Sequence, residues 1–269
     1  MRMTRTIIIL FISALLPLTA LGQEDSIQDC YKKLLQKAST CVFADDFKKS
    51  WERNWHLDGK NARIIQDGKS LEMHAGTHAF KDEDHIVLWT KKEFEGNIRI
   101  EYDFTRLDSS EYYFVNILYI QAQGIGQGEY KKDIFKWNHL REVPAMSTYF
   151  NHMETYHISY AVTGVPAKGQ KEYIRARRYM PQWGKGLKGT DLYPEYLDTG
   201  LFKIGIKYHL TFIKYGTRLF LNVKGDGKDK TFFFNADNFP PILKGRIGLR
   251  QMYTRNSRYE NFKIYRIND

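Results

Sequence analysis

From about residue 85 the chain alternates apolar and polar side chains in short runs. These are "HIVLW" (85–89), "NIRIEYDF" (97–104), "YYFVNILYIQ" (112–121), "METYHISYAV" (153–162) and "KEYIRARRY" (171–179). "YHLTFIKY" (208–215), "RLFLNV" (218–223), "KTFFFN" (230–235), "GRIGLRQMY" (245–253) and "YENFKIYRI" (259–267) follow. A period of two puts alternate side chains on opposite faces, and β-branched and aromatic residues suit a pleated, half-buried surface. "EGN" (95–97), "YGT" (215–217) and "GDGKD" (225–229) supply turns between runs. Apart from a helical lead-in at 26–38, no helical period of useful length interrupts them. Many short antiparallel strands without intervening helices predict an all-β sandwich or barrel. Two stretches, 122–152 and 180–200, exceed the ~12–15 residues of an ordinary connection and are rich in Gly, Trp, Tyr and Pro. They read as functional insertions into one domain.

The first residues follow a different pattern. Arg2 and Arg5 precede the apolar run "IIILFISALLPLTA", and small residues follow it. That order describes a secretory signal peptide over residues 1–22, cleaved after Gly22, which leaves a single domain at 23–269. No later run approaches the ~20 apolar residues of a spanning helix. A periplasmic or extracellular protein with no membrane anchor is therefore expected. Cys30 and Cys41 would be roughly 16 Å apart on one straight helix. A disulfide needs about 7 Å, so a bridge requires the helix to end near Ser39.

Charge narrows the partner. The formal charge of +10 becomes +8 once Arg2 and Arg5 depart, and residues 122–190 alone carry eleven Lys/Arg against five Asp/Glu. Such a concentration favours an anionic partner. Export disfavours nucleic acid and points to an acidic polysaccharide or oligosaccharide.

Four stretches carry a family resemblance. "FADDF" with Trp51, "GKSLEM" and "HIVLWTKKEFEGNIRIEYDF" resemble the opening of a concanavalin-A-like jelly roll, and "YHLTFIKYGTRLFLNVKG" through "YENFKIYRI" resembles its last strands. More narrowly, the chain resembles the YesU-like family of bacterial sandwiches, over roughly residues 40–267. The resemblance implies a jelly-roll sandwich of two antiparallel sheets and a saccharide-degradation setting. It also allows a structural calcium held by loop carbonyls; no other cofactor is expected.

Candidate chemistry falls on the strands and the insertions. In "METYHISYAV" Thr155, His157 and Ser159 share one face, while Tyr156, Ile158 and Tyr160 share the core face. In "KEYIRARRY" Tyr173, Arg175, Arg177 and Tyr179 share a face. Two such strands make a groove suited to β-elimination from a uronic acid. Arginine grips the sugar carboxylate in a two-pronged geometry, histidine takes a proton near neutral pH, and tyrosine exchanges one. His157, Tyr179, Tyr173 and Arg175 are the catalytic candidates, with Arg177 in binding. "LFKIGIKYH" (201–209) echoes one strand of jelly-roll alginate lyases, whereas their Gln-x-His element is missing.

Trp137, Asn138, His139 and His152 in the first insertion, Trp183 in the second, and Tyr253 are further substrate-binding candidates. Arg250 and Gln251 point to opposite faces, so one of them at most can border the groove; Gln251 is carried as a candidate. "EYDFT" places Glu101 and Asp103 on one face, two positions of the Glu-x-Asp-x-Glu pattern of laminarinase-type glycosidases, but the third is Thr105. A hydrolase using this pair is the third option, behind the lyase and a lectin-like module that binds without cleaving. His152 and His157 are five apart, which suits no metal pair on one element. "GIGQG" (124–128) lacks the following helix of a phosphate loop.

Overall fold

Alternation decides which side chains meet between two sheets. The computed structural model describes residues 18–110, 114–162 and 169–268, with side chains of the first helix from Ser26 onward. The first sheet runs β14 (Lys228–Asn235), β13 (Arg218–Gly225), β12 (Lys207–Tyr215), β7 (Asn97–Arg106), β16 (Asn256–Ile267), β4 (Leu71–His74), β3 (Arg63–Gln66), with β1 (Ser39–Asp45) on β16. The second runs β11 (Asp191–Leu197), β10 (Tyr173–Tyr179), β9 (Met153–Tyr160), β8 (Asn116–Gly124), β15 (Lys244–Gln251), β5 (Ile86–Thr90), β2 (Trp55–Asp58), with β6 (Phe94–Glu95) on β15. Every described pairing is antiparallel. The fold is a β-sandwich.

Each of the ten runs read from the alternation holds a strand here; residues 112 and 113 of the third run lie outside the described ones. β1, β2, β3, β4, β6 and β11 are not among those runs: β2, β3, β4 and β6 have four residues or fewer, and β11 falls in a stretch read as a loop. β11 lies inside the 180–200 insertion, and the 122–152 insertion holds a 3-10 segment, Ile134–Arg141, and helix α2, Met146–His152. Helix α1 spans Leu18–Gln36 rather than 26–38, across the expected cleavage point; the leader's residues before Leu18 lie outside the described ones. The chain divides into two units, one ending at Gln36 and the sandwich from Lys37 onward. Cys41 is an exposed thiol, not half of a bridge. Among the described residues no helix is long and apolar enough to cross a membrane.

The main core is built by inward faces of both sheets: Ile98, Ile100, Tyr102 and Phe104 of β7 against Leu118, Ile120, Tyr156, Ile158 and Tyr160 of β8 and β9. A second apolar cluster lies on the other, outer face of the second sheet. There Val87, Trp89, Ile117 and Tyr119 are covered by Ile134, Trp137 and Tyr149 of the first insertion. Trp89, Tyr119 and Tyr149 lie nearly parallel, with Trp89 and Tyr119 centroids 5.4 Å apart and Tyr119 and Tyr149 5.9 Å apart. Gly248 makes room for that stack, since a Cβ there would come within 2.5 Å of the Trp89 ring.

One buried carboxylate ties the cover down. Asp58 Oδ2 accepts from Arg141 Nε at 2.6 Å, Trp89 Nε1 at 2.8 Å and the Tyr149 hydroxyl at 2.9 Å. Asp58 and Arg141 are both essentially inaccessible to water. Removing one charge of such a pair strands the other in a low dielectric. Asp58→Asn is therefore expected to lower unfolding free energy by about 3–5 kcal/mol, read by urea titration. Amide exchange across residues 134–152 should accelerate with it. Unchanged stability and exchange would show that the cover is held by packing alone.

Candidate functional site

Strand register aligns the predicted residues in two rows across the second sheet. Tyr119 pairs with His157, His157 with Arg177, and Arg177 with Asp191. In the next row Arg250 pairs with Ile117, Ile117 with Ser159, and Ser159 with Arg175. All these side chains share the outer face, where the cover leaves Arg175 and Arg177 partly accessible, with side chains 30% and 15% exposed. His157 and Ser159 sit deeper, each 4% exposed, and Tyr179 is wholly buried.

His157 holds a defined hydrogen-bond chain. Its Nδ1 lies 2.6 Å from the Tyr179 hydroxyl and its Nε2 lies 2.6 Å from Ser159 Oγ. Burial, reinforced by Arg177, Arg250 and Arg175, holds its pKa well below the usual histidine value. The imidazole is thus neutral at pH 7, one nitrogen donating and the other accepting. Burial also pushes the Tyr179 hydroxyl well above the usual tyrosine range, so it keeps its proton. This face can pass a proton along Ser159, His157 and Tyr179.

The arginines divide by role. Arg175 pairs with Glu195, Nε to Oε1 at 2.9 Å, and stacks on Tyr173 at 4.3 Å. Arg177 pairs with Asp191 at 2.9 Å. Both ion pairs are at the sheet edge, with each acid about one-third exposed (32% and 33%). Arg250 is different. It is fully buried beneath Tyr149, donates to Pro144 O at 2.7 Å and contacts His85 Nδ1. Its Nε and Nη1 have no hydrogen-bond partner among the described residues. No described carboxylate hydrogen-bonds it.

Comparison with known proteins bears on the fold at this point. Residues 40–264 match the family described as a domain of unknown function, DUF1961. The chain belongs to that family. A protein of unknown function with a galectin-like fold from Bacillus subtilis is 19% identical, with a TM-score of 0.63, over 87% of this chain and 99% of that one. The legume lectin-like domain from Entamoeba histolytica is 10% identical, with a TM-score of 0.54, over 86% of this chain and 100% of that one. The VIP36 exoplasmic/lumenal domain, in a form bound to Ca2+ and Man3GlcNAc, is 12% identical with a TM-score of 0.54, over 84% and 91% of the two chains. At these identities the likeness is one of fold. No curated protein matches by sequence.

Other candidates of this DUF1961 chain are not brought to the row of His157. Trp137 is fully buried, donating to Lys131 O at 2.9 Å under Arg141, so its ring packs within the cover. Asn138 contacts His56 Nε2 at 3.2 Å, and His139 is exposed on the same segment. His152 stacks flat on Tyr130 with centroids 3.6 Å apart. Gln251 lies on the core side, donating to Met73 O and Arg255 O at 2.7 Å each. The arginine beside it reaches the face instead. Tyr253 packs on Phe114 and His85 at 4.2 and 4.4 Å. Trp183 is 57% exposed and stacks on Phe239.

Glu101 and Asp103 stand on the outer face of the first sheet, with the main core between them and His157. Glu101 pairs with Arg99 at 2.8 Å, and Asp103 accepts from His209 and Asn261 at 2.8 Å each. Among the described residues no three His, Cys, Asp or Glu gather as a metal-holding group. Arg250, Ser159 and Tyr119 complete the cluster; alternation marks their face, but only register reveals that they adjoin.

The buried histidines set a pH dependence. Burial, then Arg250, lowers His85 to about 3, and His157 is also depressed. Below the usual histidine value of 6.5 the unfolded chain takes up protons that the fold does not. Stability should therefore fall as pH drops from 6.5 towards the folded values, by roughly 1.4 kcal/mol per pH unit for each histidine. His209, raised by its hydrogen bond to Asp103, works in the opposite sense. Urea midpoints between pH 7 and 5 should decline less steeply in His157→Gln. Parallel slopes would mean that His157 is protonated in the fold.

Proposed function

We propose that this protein is an exported saccharide-binding protein that takes an acidic, uronate-bearing chain on the outer face of its second sheet. The observation that carries this reading is the buried arginine beneath that face. Arg250 is buried with no carboxylate partner among the described residues, and its field acts together with those of Arg175 and Arg177. In a low-dielectric site such a field favours an incoming anion. A sugar carboxylate reaches Arg177 or Arg175 by displacing Asp191 or Glu195, a cheap exchange because partly exposed ion pairs are worth little. The basic leader followed by an apolar run supports export, and the likeness to YesU-like sandwiches supports a saccharide-degradation setting. The lectin-like fold suits the same ligand class.

A second reading, cleavage by β-elimination at the same face, is favoured by the Ser159, His157 and Tyr179 chain. In that step neutral His157 takes the proton from the carbon beside the carboxylate. The freed electron pair forms a carbon–carbon double bond, and the glycosidic oxygen leaves with the proton of Tyr179. Burial of both groups ranks binding ahead of cleavage.

Titration with oligogalacturonate and oligoalginate, with and without calcium, tests both. Arg177→Gln is expected to weaken binding by roughly 10- to 100-fold, the loss of a charge-assisted bond. Equal affinity in the variant would remove the proposed face as the site. Absorbance of an unsaturated uronate, present in the parent and lost in His157→Ala, would establish elimination; its absence with retained binding leaves a lectin.

A further inference from the structure

A separate cavity of about 650 Å³ opens at the edge of the first sheet, where β3, β4 and β16 meet the loop before β5. Asp84, Asn61, His74, His78, Thr254 and Asn256 line it. None of them belongs to the His157 face, and no sequence motif marked them. Four backbone hydrogen bonds pin its walls: Ala75 N to Arg255 O, Gly76 N to Asp84 O, Thr254 N to Gly76 O and Asn61 N to Glu83 O. The cavity is thus preorganised, which lowers the ordering cost of binding.

The floor is a carboxylate whose charge is already answered. Asp84 Oδ1 accepts from Asn61 Nδ2 at 2.5 Å, and Oδ2 accepts from the His78 backbone N–H at 2.5 Å and lies 2.9 Å from its ring Nδ1. Gly76 lies directly against it: a Cβ there would fall 2.2 Å from Asp84 Cγ. Asp84 is fully buried beneath these partners, so it holds Asn61 and His78 in place, and the polar groups presented to the cavity are theirs. The Asn256 side chain has no hydrogen-bond partner among the described residues, and Arg63 at the rim has no ion pair there.

Charge and donor pattern select the ligand class. Arg63 stands at the rim beside the single lining carboxylate, and His74 already pairs with Glu72, which disfavours a cation. The acceptor-rich floor of Asp84 and the Asn61 amide oxygen disfavours an anion. A neutral molecule with adjacent hydroxyls satisfies both, because each hydroxyl donates to one group and accepts from another. The volume falls in the range of small-molecule sites and accommodates one or two sugar rings.

We propose that the Asp84 cavity is a second saccharide site, reading adjacent hydroxyls of a neutral sugar and independent of the acidic-saccharide face. The Asn61 and Asn256 amides are its hydrogen-bonding groups, with Thr254 on the wall and buried Asp84 positioning Asn61. His85, the next residue after Asp84, faces the other way, towards Arg250 and Tyr253. One short loop therefore borders both sites.

The test uses the full chain titrated with mannobiose, galactobiose, xylobiose and cellobiose by calorimetry and by side-chain amide NMR. At least one disaccharide is expected to bind saturably and to shift the Asn61 and Asn256 amide signals. Asp84→Asn and Asn256→Ala should each weaken it about tenfold or more, as for loss of a hydrogen bond at a polar site. Asn256→Ala removes no described side-chain bond, so it keeps the test decisive if Asp84→Asn fails to fold. Absence of saturable binding by all four sugars overturns the proposal, as does binding that Asn256→Ala leaves unchanged. Acidic fragments are titrated separately, so failure at the acidic-saccharide face is read apart from failure here.

Discussion

The arrangement on the second sheet depends on one buried carboxylate. Asp58 gathers Arg141, Trp89 and Tyr149 at a single oxygen, joining groups up to 91 positions apart in sequence. It ends β2 at the sheet edge, so the bonds it accepts pull the 122–152 insertion over Trp89 and Tyr119. That cover converts an outward sheet face, which would otherwise be wet, into a second apolar cluster. Everything proposed for His157 follows, since a solvated imidazole between two hydroxyls would titrate near its usual value.

The cover also redistributes charge. Residues 122–190 carry the surplus of positive charge, yet Arg141 and Arg178 are buried, and Lys132, Lys171, Arg175 and Arg177 face acids. Net charge along a segment therefore overstates the field offered to a ligand. Arg250, outside that segment and brought there by the pairing of β15 with β8, is a buried cation on this face with no carboxylate ion pair among the described residues. Such a group is costly unless something answers it, which is why it points to a ligand more sharply than the exposed lysines do.

The two candidate sites differ in how they are assembled. The His157 face stands on strands, where alternation orders side chains and hydrogen-bonded neighbours set their spacing. The Asp84 cavity is made by loop segments near residues 61, 76, 84 and 254, each short and individually unmarked. A preorganised loop site has no period to betray it, because its geometry comes from backbone bonds between distant turns.

Alternation by itself determined the all-β class, the ten long strands and the division of β9 and β10 into a core face and a polar face. That information is local: a period of two needs only neighbouring residues. Tertiary structure decided what covers the polar face, that Trp137 and Tyr149 pack inward, and that Arg250 rather than Gln251 joins His157. It also decided that Glu101 and Asp103 stand behind the other sheet. Those outcomes depend on strand order and on one long-range ion pair, and neither leaves a local pattern in the chain.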